Sequence, residues 1–155
     1  RYMQTIIDNV YEFNKQRDLI KDYDTKKEAA LLLEEILELF ENENPQETAR
    51  QIIEQSAMTK TPKRRDAEHI DAYIDIVYIA IGSLIKKYNS VLPAGLQNRK
   101  RFIIAFISKA IDNVCIANAG KKGHLDEKGK WVKSSDFQEP FIPVTLQDLY
   151  ENKRR

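Results

Sequence analysis

The chain has one cysteine, Cys115, so it cannot form an internal disulfide. A lone thiol fits a reducing, cytoplasmic compartment. Val114 and Ile116 flank it on an apolar helical stretch, which makes it a core residue rather than a reactive one. Glycine and proline are scarce, five each in 155 residues, and they cluster. Excess charge is lacking too. A net charge of +1 points to neither nucleic acid nor a membrane surface, so any electrostatic site must be local. No secretory signal peptide is visible. The longest apolar run is interrupted by Asp71 and Asp75, so no bilayer-spanning segment is expected. Apolar residues make up 42% and charged residues 32%, the balance of an ordinary soluble globular chain. Residues 1–155 suit one domain with a sizeable core.

Most of the chain reads with helical period. Residues 2–22 carry Ile6, Ile7, Val10, Phe13 and Ile20 in a loose stripe. Residues 25–41 form "TKKEAALLLEEILELFE", where Thr25 and Glu28 have capping-box spacing. Asn42, Asn44 and Pro45 punctuate its end. Residues 46–57 predict a short polar helix. Residues 62–88 predict a long one, with Thr61 as cap and Pro62 in first position. Residues 95–118 predict a fifth, with Phe102, Ile103, Phe106, Ile107, Ala110, Ile111 and Val114 on its apolar side. The pattern then stops. Residues 118–142 hold three glycines and two lysine pairs or near-pairs without a helical stripe. They predict an ordered Gly/Lys-rich loop with a small hairpin around residues 127–129. Thr145 caps a last turn or two. The expected fold is all-α, a helical bundle of four to five helices followed by that C-terminal loop segment.

The helix at 62–88 contains "HIDAYIDIVYIAIGSLI", apolar nearly all round yet carrying two aspartates four residues apart. At about 100° per residue, Glu68, Asp71, Asp75 and Tyr78 fall on one narrow stripe. No basic residue occurs from Ile70 to Ile85. The aspartates are therefore expected to be enclosed or to face a cleft. The second helix repeats the pattern with Glu34, Glu38 and Glu41 at i, i+4 and i+7, and Glu35 on the flank. No Lys or Arg lies between Glu28 and Arg50. A solvated acidic face is the plain alternative. Like charges held close together are costly, however, and a divalent cation removes that cost. Carboxylates are hard ligands suited to Mg²⁺ or Mn²⁺. The two histidines, His69 and His124, are far apart in sequence, which argues against zinc, and His69 is taken as a helix-surface residue. Neither helix has the Glu-x-x-His of di-iron bundles.

"EEILE" (Glu34-Glu35-x-x-Glu38), followed a helix later by "DAYIDIVYIAIGSL", resembles the MazG-like all-α nucleoside triphosphate pyrophosphohydrolases. The second half of that signature can be read as Glu68-x-x-Asp71 or as Asp71-x-x-x-Asp75. The apolar run after Asp75 favours the latter. The segment "IANAGKKGHLDEKGKWVKSSDFQEP" is similar to a lysine-bearing segment of the phosphoribosyl-ATP pyrophosphohydrolase-like branch, at Asn118, Lys121 or Lys122, Gly129-Lys130, Lys133 and Pro140. Phe137 stands where an aromatic is expected, and Ala117 replaces the usual Ser. The likeness covers residues 26–142, with a motif-bearing core at 26–118 and a substrate loop at 118–142. The Glu-x-x-x-Ala-Asp-Leu-x-Tyr-His pattern of histidine-biosynthesis enzymes is absent, which argues against phosphoribosyl-ATP as substrate.

The resemblance implies hydrolysis between the α- and β-phosphates of a nucleoside triphosphate, releasing monophosphate and pyrophosphate, in nucleotide-pool house-cleaning. It implies Mg²⁺, or Mn²⁺, on Glu35, Glu38, Asp71 and Asp75, with Glu68 as the alternative member. It implies Glu34 as the water-orienting base, in a role it could exchange with Glu35. Asn118, Lys121, Lys122, Lys130 and Lys133 are the expected substrate contacts, since lysine binds phosphate as a point charge. Trp131 either stacks on a base or plugs the loop onto the helices. A homodimer or homotetramer is expected. The basic clusters Lys63–Arg65, Arg99–Arg101 and Lys153–Arg155 do not outweigh the near-neutral charge, so no nucleic-acid partner is expected. A membrane partner is not expected either. The competing functional class is a non-catalytic helical module that senses nucleotides or binds proteins through its acidic stripes.

Overall fold

A computed structural model of the chain describes residues 2–20, 23–40, 43–56, 66–127 and 130–150. Among these residues the fold is all-α, with six helices and one two-stranded sheet. The helices are α1 (Tyr2–Gln16), α2 (Thr25–Leu37), α3 (Pro45–Gln55), α4 (Asp66–Val91), α5 (Lys100–Ala119) and α6 (Leu146–Tyr150). Strands β1 (Gly123–Leu125) and β2 (Trp131–Lys133) lie between α5 and α6. They pair antiparallel with His124 opposite Val132, on either side of the expected turn. Thr61, Pro62, Glu41, Gly129 and the clusters Lys63–Arg65 and Lys153–Arg155 lie outside the described residues.

Local chemistry sets the helix ends. Helix α1 stops at Gln16, short of the expected residue 22. Asp18 turns into the left-handed region (φ 56°), and the Leu19 amide donates back to the Asn14 carbonyl at 2.9 Å. The cap of α2 is Asp24, not Thr25. Asp24 is in extended backbone and accepts the Lys27 amide at 2.9 Å, a bond that holds its carboxyl below the usual range. Pro45 opens α3, and Asn44 Oδ1 accepts the amides of Gln46 (3.1 Å) and Glu47 (3.0 Å). Asn44→Ala is expected to cost about 1 kcal/mol of stability, read as a shift in the urea midpoint. Thr145 and Asp148 cap α6 reciprocally. Asp148 N donates to Thr145 Oγ1 at 3.2 Å, and Thr145 N donates to Asp148 Oδ2 at 2.9 Å.

The core is small and sits at one end. Helix α5 packs against α1, α4 and α6. It supplies Ile103, Phe106 and Ala110 at helical spacing, and Phe106 is fully buried. Tyr88 near the end of α4 stacks on Phe106 with ring centroids 5.4 Å apart. Leu92, Leu96, Leu146 and Leu149 close the cluster. The tail is tied down by polar bonds. Lys109 Nζ donates to the carbonyls of Asp148 and Leu149 at 2.8 Å each, and Asn113 Nδ2 donates to the Phe141 carbonyl at 2.7 Å. Among the described residues one helix, α5, is by length and composition alone long and apolar enough to cross a membrane. The apolar side of α5 supplies most of the core described here.

The far half of α4 is different. Ile70 and Ile74 are each 63% exposed and Ile79 is 64% exposed. Asp71 and Asp75 are exposed beside them, so the expected enclosure of the two aspartates is corrected. Within a single chain, nothing among the described residues covers that face.

Candidate functional site

The acidic stripe of α2 is in place. Glu34, Glu35 and Glu38 are exposed on the last turns of the helix, and Glu38 is its C-cap. The stripe does not meet the α4 aspartates. No Cα of α2 lies within 8 Å of a Cα of α4. The segment leading into α2 reaches α4 instead, with the Tyr23 hydroxyl 3.5 Å from that of Tyr73, a residue between Asp71 and Asp75. That hydrogen bond, followed by burial, pushes the Tyr73 phenol up to about 12. Among the described residues no three Asp, Glu, His or Cys side chains converge to hold a metal ion. As a single chain places them, Glu35, Glu38, Asp71 and Asp75 do not fit a metal cage, although their oxygens are the right donors for a hard cation. Glu68 is half-buried, and its Oε2 is buried without a hydrogen-bond partner.

The α2 stripe faces the hairpin instead. Lys130 Nζ forms an ion pair and hydrogen bond with Glu34 Oε2, 96 residues away in sequence. That bond, with the fields of Glu34, Glu35 and Glu38 added, pushes the Lys130 ammonium up despite some desolvation. The turn bearing Lys130 is fixed by Asp126. The Asp126 amide donates to the Lys130 carbonyl at 2.9 Å, and the Lys130 amide donates to Asp126 Oδ1 at 2.8 Å.

The other expected substrate residues lie along the same hairpin and its approach. Lys121 is half-buried. Burial pushes its pKa down, Lys133 and Arg17 push the same way, and Glu139 and Glu35 oppose them. Two ammonium groups lie near the ring of Phe137, Lys121 at 5.5 Å and Lys133 at 4.9 Å from its centroid. Lys133 also pairs with Glu139. Lys122 is exposed, and its carbonyl accepts the Ser134 amide at 3.0 Å. Asn118 lines an apolar cavity of about 540 Å³ between α1, α4 and α5, together with Phe13, Leu84, Val114 and Cys115. Burial, and then Asp112, push the Cys115 thiol up; Cys115 is half-buried on the cavity wall, outside the buried core expected for it.

Arg17 is the residue that sequence reasoning missed. Its guanidinium stacks 3.8 Å from the Phe13 centroid and lies 5.1 Å from the Trp131 ring. It donates to the carbonyls of Lys121 and Asn118. It therefore pins the base of the hairpin to α1. Trp131 is half-buried, with Nε1 enclosed and lacking an acceptor. Its placement fits the plug role better than base stacking. Its local partners, the Phe13 ring and carbonyl, are unremarkable helix neighbours, and the hairpin carbonyls it grips lie about a hundred residues on, so no local motif marks Arg17.

Of the basic clusters, only Arg99–Arg101 is described. Arg99 is the N-cap of α5 without a side-chain cap bond, and Arg101 stacks on Phe102 at 4.8 Å. His69 is half-buried on α4, and His124 is exposed on β1. The site thus consists of an acidic helix face joined to a cationic, aromatic hairpin through the Lys130–Glu34 ion pair, and a second acidic stripe standing apart on α4. No family model, curated protein or solved structure matches the chain.

Proposed function

We propose that the protein is a cytoplasmic, Mg²⁺-dependent nucleoside triphosphate pyrophosphohydrolase of the MazG-like kind, serving nucleotide-pool house-cleaning. The observation that carries it is the ion pair between Lys130 of the hairpin turn and Glu34 of "EEILE", with Glu35 and Glu38 close enough to act on the same ammonium. An acidic face suited to a hard cation and lysines suited to phosphate are thereby neighbours, although 96 residues separate Glu34 from Lys130. A bound divalent cation would supply charge neutralisation for phosphoryl chemistry. Of this chain's own groups, Lys121, Lys122, Lys130 and Lys133 bind the phosphates. Glu34, or Glu35 in exchange, orients the attacking water. Asn118 hydrogen-bonds the base or ribose.

The proposed architecture is a four- to five-helix bundle with the Gly/Lys-rich segment as its substrate loop, completed in a homodimer or homotetramer. The uncovered apolar face of α4 supports the second subunit, because it carries Asp71 and Asp75 with it. The decisive experiment measures pyrophosphate release from a panel of NTPs and dNTPs with Mg²⁺, on protein whose mass is read by light scattering. At least one nucleotide is expected to release pyrophosphate in a metal-dependent way. Binding without release would support a nucleotide sensor.

A non-catalytic interaction module is the second reading. It is favoured by the separation of the two acidic stripes. Calorimetry showing no Mg²⁺ or Mn²⁺ binding, with or without a non-hydrolysable triphosphate, would select it.

A further inference from the structure

We propose that the cavity between α1, α4 and α5 binds a neutral, mostly apolar small molecule carrying one hydrogen-bond acceptor, a ketone or an ester being the plain case. The inference is independent of the pyrophosphohydrolase reading.

The cavity has the size and make-up of a ligand pocket. Its volume is about 540 Å³, inside the usual range for such pockets of about 300–1,000 Å³. Val10 and Phe13 of α1, Leu84 and Tyr88 of α4 and Val114 of α5 form its walls, and the tail adds Ile142. Among the described residues no charged side chain lines it, and the lysines assigned to phosphate are not part of it. A charged ligand would lose its water there without gaining a partner, so the occupant is neutral. Since a cavity of about 150 Å³ holds one benzene, one of about 540 Å³ takes a molecule of up to about twenty non-hydrogen atoms.

The polar groups on the walls choose among neutral molecules. Asn9 and Asn14 are turned back onto α1, where their Nδ2 atoms donate to the carbonyls of Thr5 and Val10 at 2.9 and 2.8 Å. Tyr88 differs. It is 5% exposed, and its hydroxyl is buried without a hydrogen-bond partner among the described residues. Burial pushes the phenol up, so the hydroxyl stays a neutral donor. A buried donor without an acceptor is costly, and a hydrocarbon occupant leaves that cost in place. An occupant with an oxygen on the Tyr88 side removes it.

The test uses the full chain and two neutral probes of matched shape, benzophenone and diphenylmethane. They differ by one carbonyl acceptor. Cys115 is the only cysteine and lies on the cavity wall, so its reaction with N-ethylmaleimide reports occupancy. Both probes should slow that reaction, benzophenone at about three- to tenfold lower concentration. Tyr88→Phe keeps a ring to stack on Phe106, and in it benzophenone should lose its advantage. Without a probe, Tyr88→Phe should melt no lower than the wild type, because the lost hydroxyl had no partner. Ala119→Trp, at an exposed position of the lining, should abolish protection and leave the far-UV circular dichroism unchanged. Protection by neither probe overturns the proposal. So does equal protection by both in the wild type, or a Tyr88→Phe protein that melts well below it. Protection that appears on raising protein concentration alone would assign the cavity to a second copy of the chain and overturn it too. Displacement of benzophenone by a nucleotide of the panel would make the cavity part of the nucleotide site, with the same consequence.

Discussion

Phe106→Ala is expected to lower folding stability by about 3–5 kcal/mol. Phe106 is fully buried, and its ring stacks on Tyr88. Truncation removes the transfer free energy of the ring and leaves a cavity that the surrounding helices fill only in part. It also strips Tyr88 of its aromatic partner. The core is short of alternatives, since the buried cluster is Tyr88, Leu92, Ile103, Phe106 and Ala110. A domain held by about 5–15 kcal/mol loses a large share of its margin at this one position. Urea unfolding followed by circular dichroism reads the effect. A midpoint within error of the wild type would mean that the core lies elsewhere.

Asp75→Asn should reduce pyrophosphate release by about 100-fold or more while leaving the fold intact. The substitution keeps the shape of the side chain and removes its charge, so it tests charge alone. Asp75 is exposed, and exposed substitutions usually change stability by no more than about 0.5 kcal/mol. Relief of repulsion from Asp71, one helical turn away, even favours a small gain. The comparison variant is Glu68→Gln. If the motif is Glu68-x-x-Asp71, Glu68→Gln abolishes turnover and Asp75→Asn spares it. Near-normal turnover in Asp75→Asn therefore removes Asp75 from the motif. Circular dichroism and thermal melts of both variants separate lost chemistry from lost folding.

Periodicity made the helices legible, and turn chemistry made several of their ends legible. Thr145 and the turn near residue 127 stand where residue type placed them. Two errors have plain causes. Thr25 and Asp24 are both good caps, and only backbone conformation decides between them. The aspartates of α4 were expected in a cleft because their helix is apolar. An apolar helix face shows what could be buried, not what lies over it, and here Ile70 and Ile74 are exposed along with Asp71. The residues of the site were legible as types. Their partners were not. Lys130 meets Glu34, and Arg17 meets the Lys121 carbonyl, across about a hundred residues of chain. No local spacing encodes such a meeting.

Helix α4 holds the core at one end and its carboxylates toward the other. Tyr88 and Asp75 are thirteen residues apart on it, about 20 Å at 1.5 Å per residue. Most substitutions destabilise, and a chain tolerates only as many as its margin allows. Here the acidic end can vary with little draw on that margin, because Phe106, Tyr88 and Leu92 lie elsewhere. Substitution along one half of this helix is thus separated from the half that keeps the molecule folded.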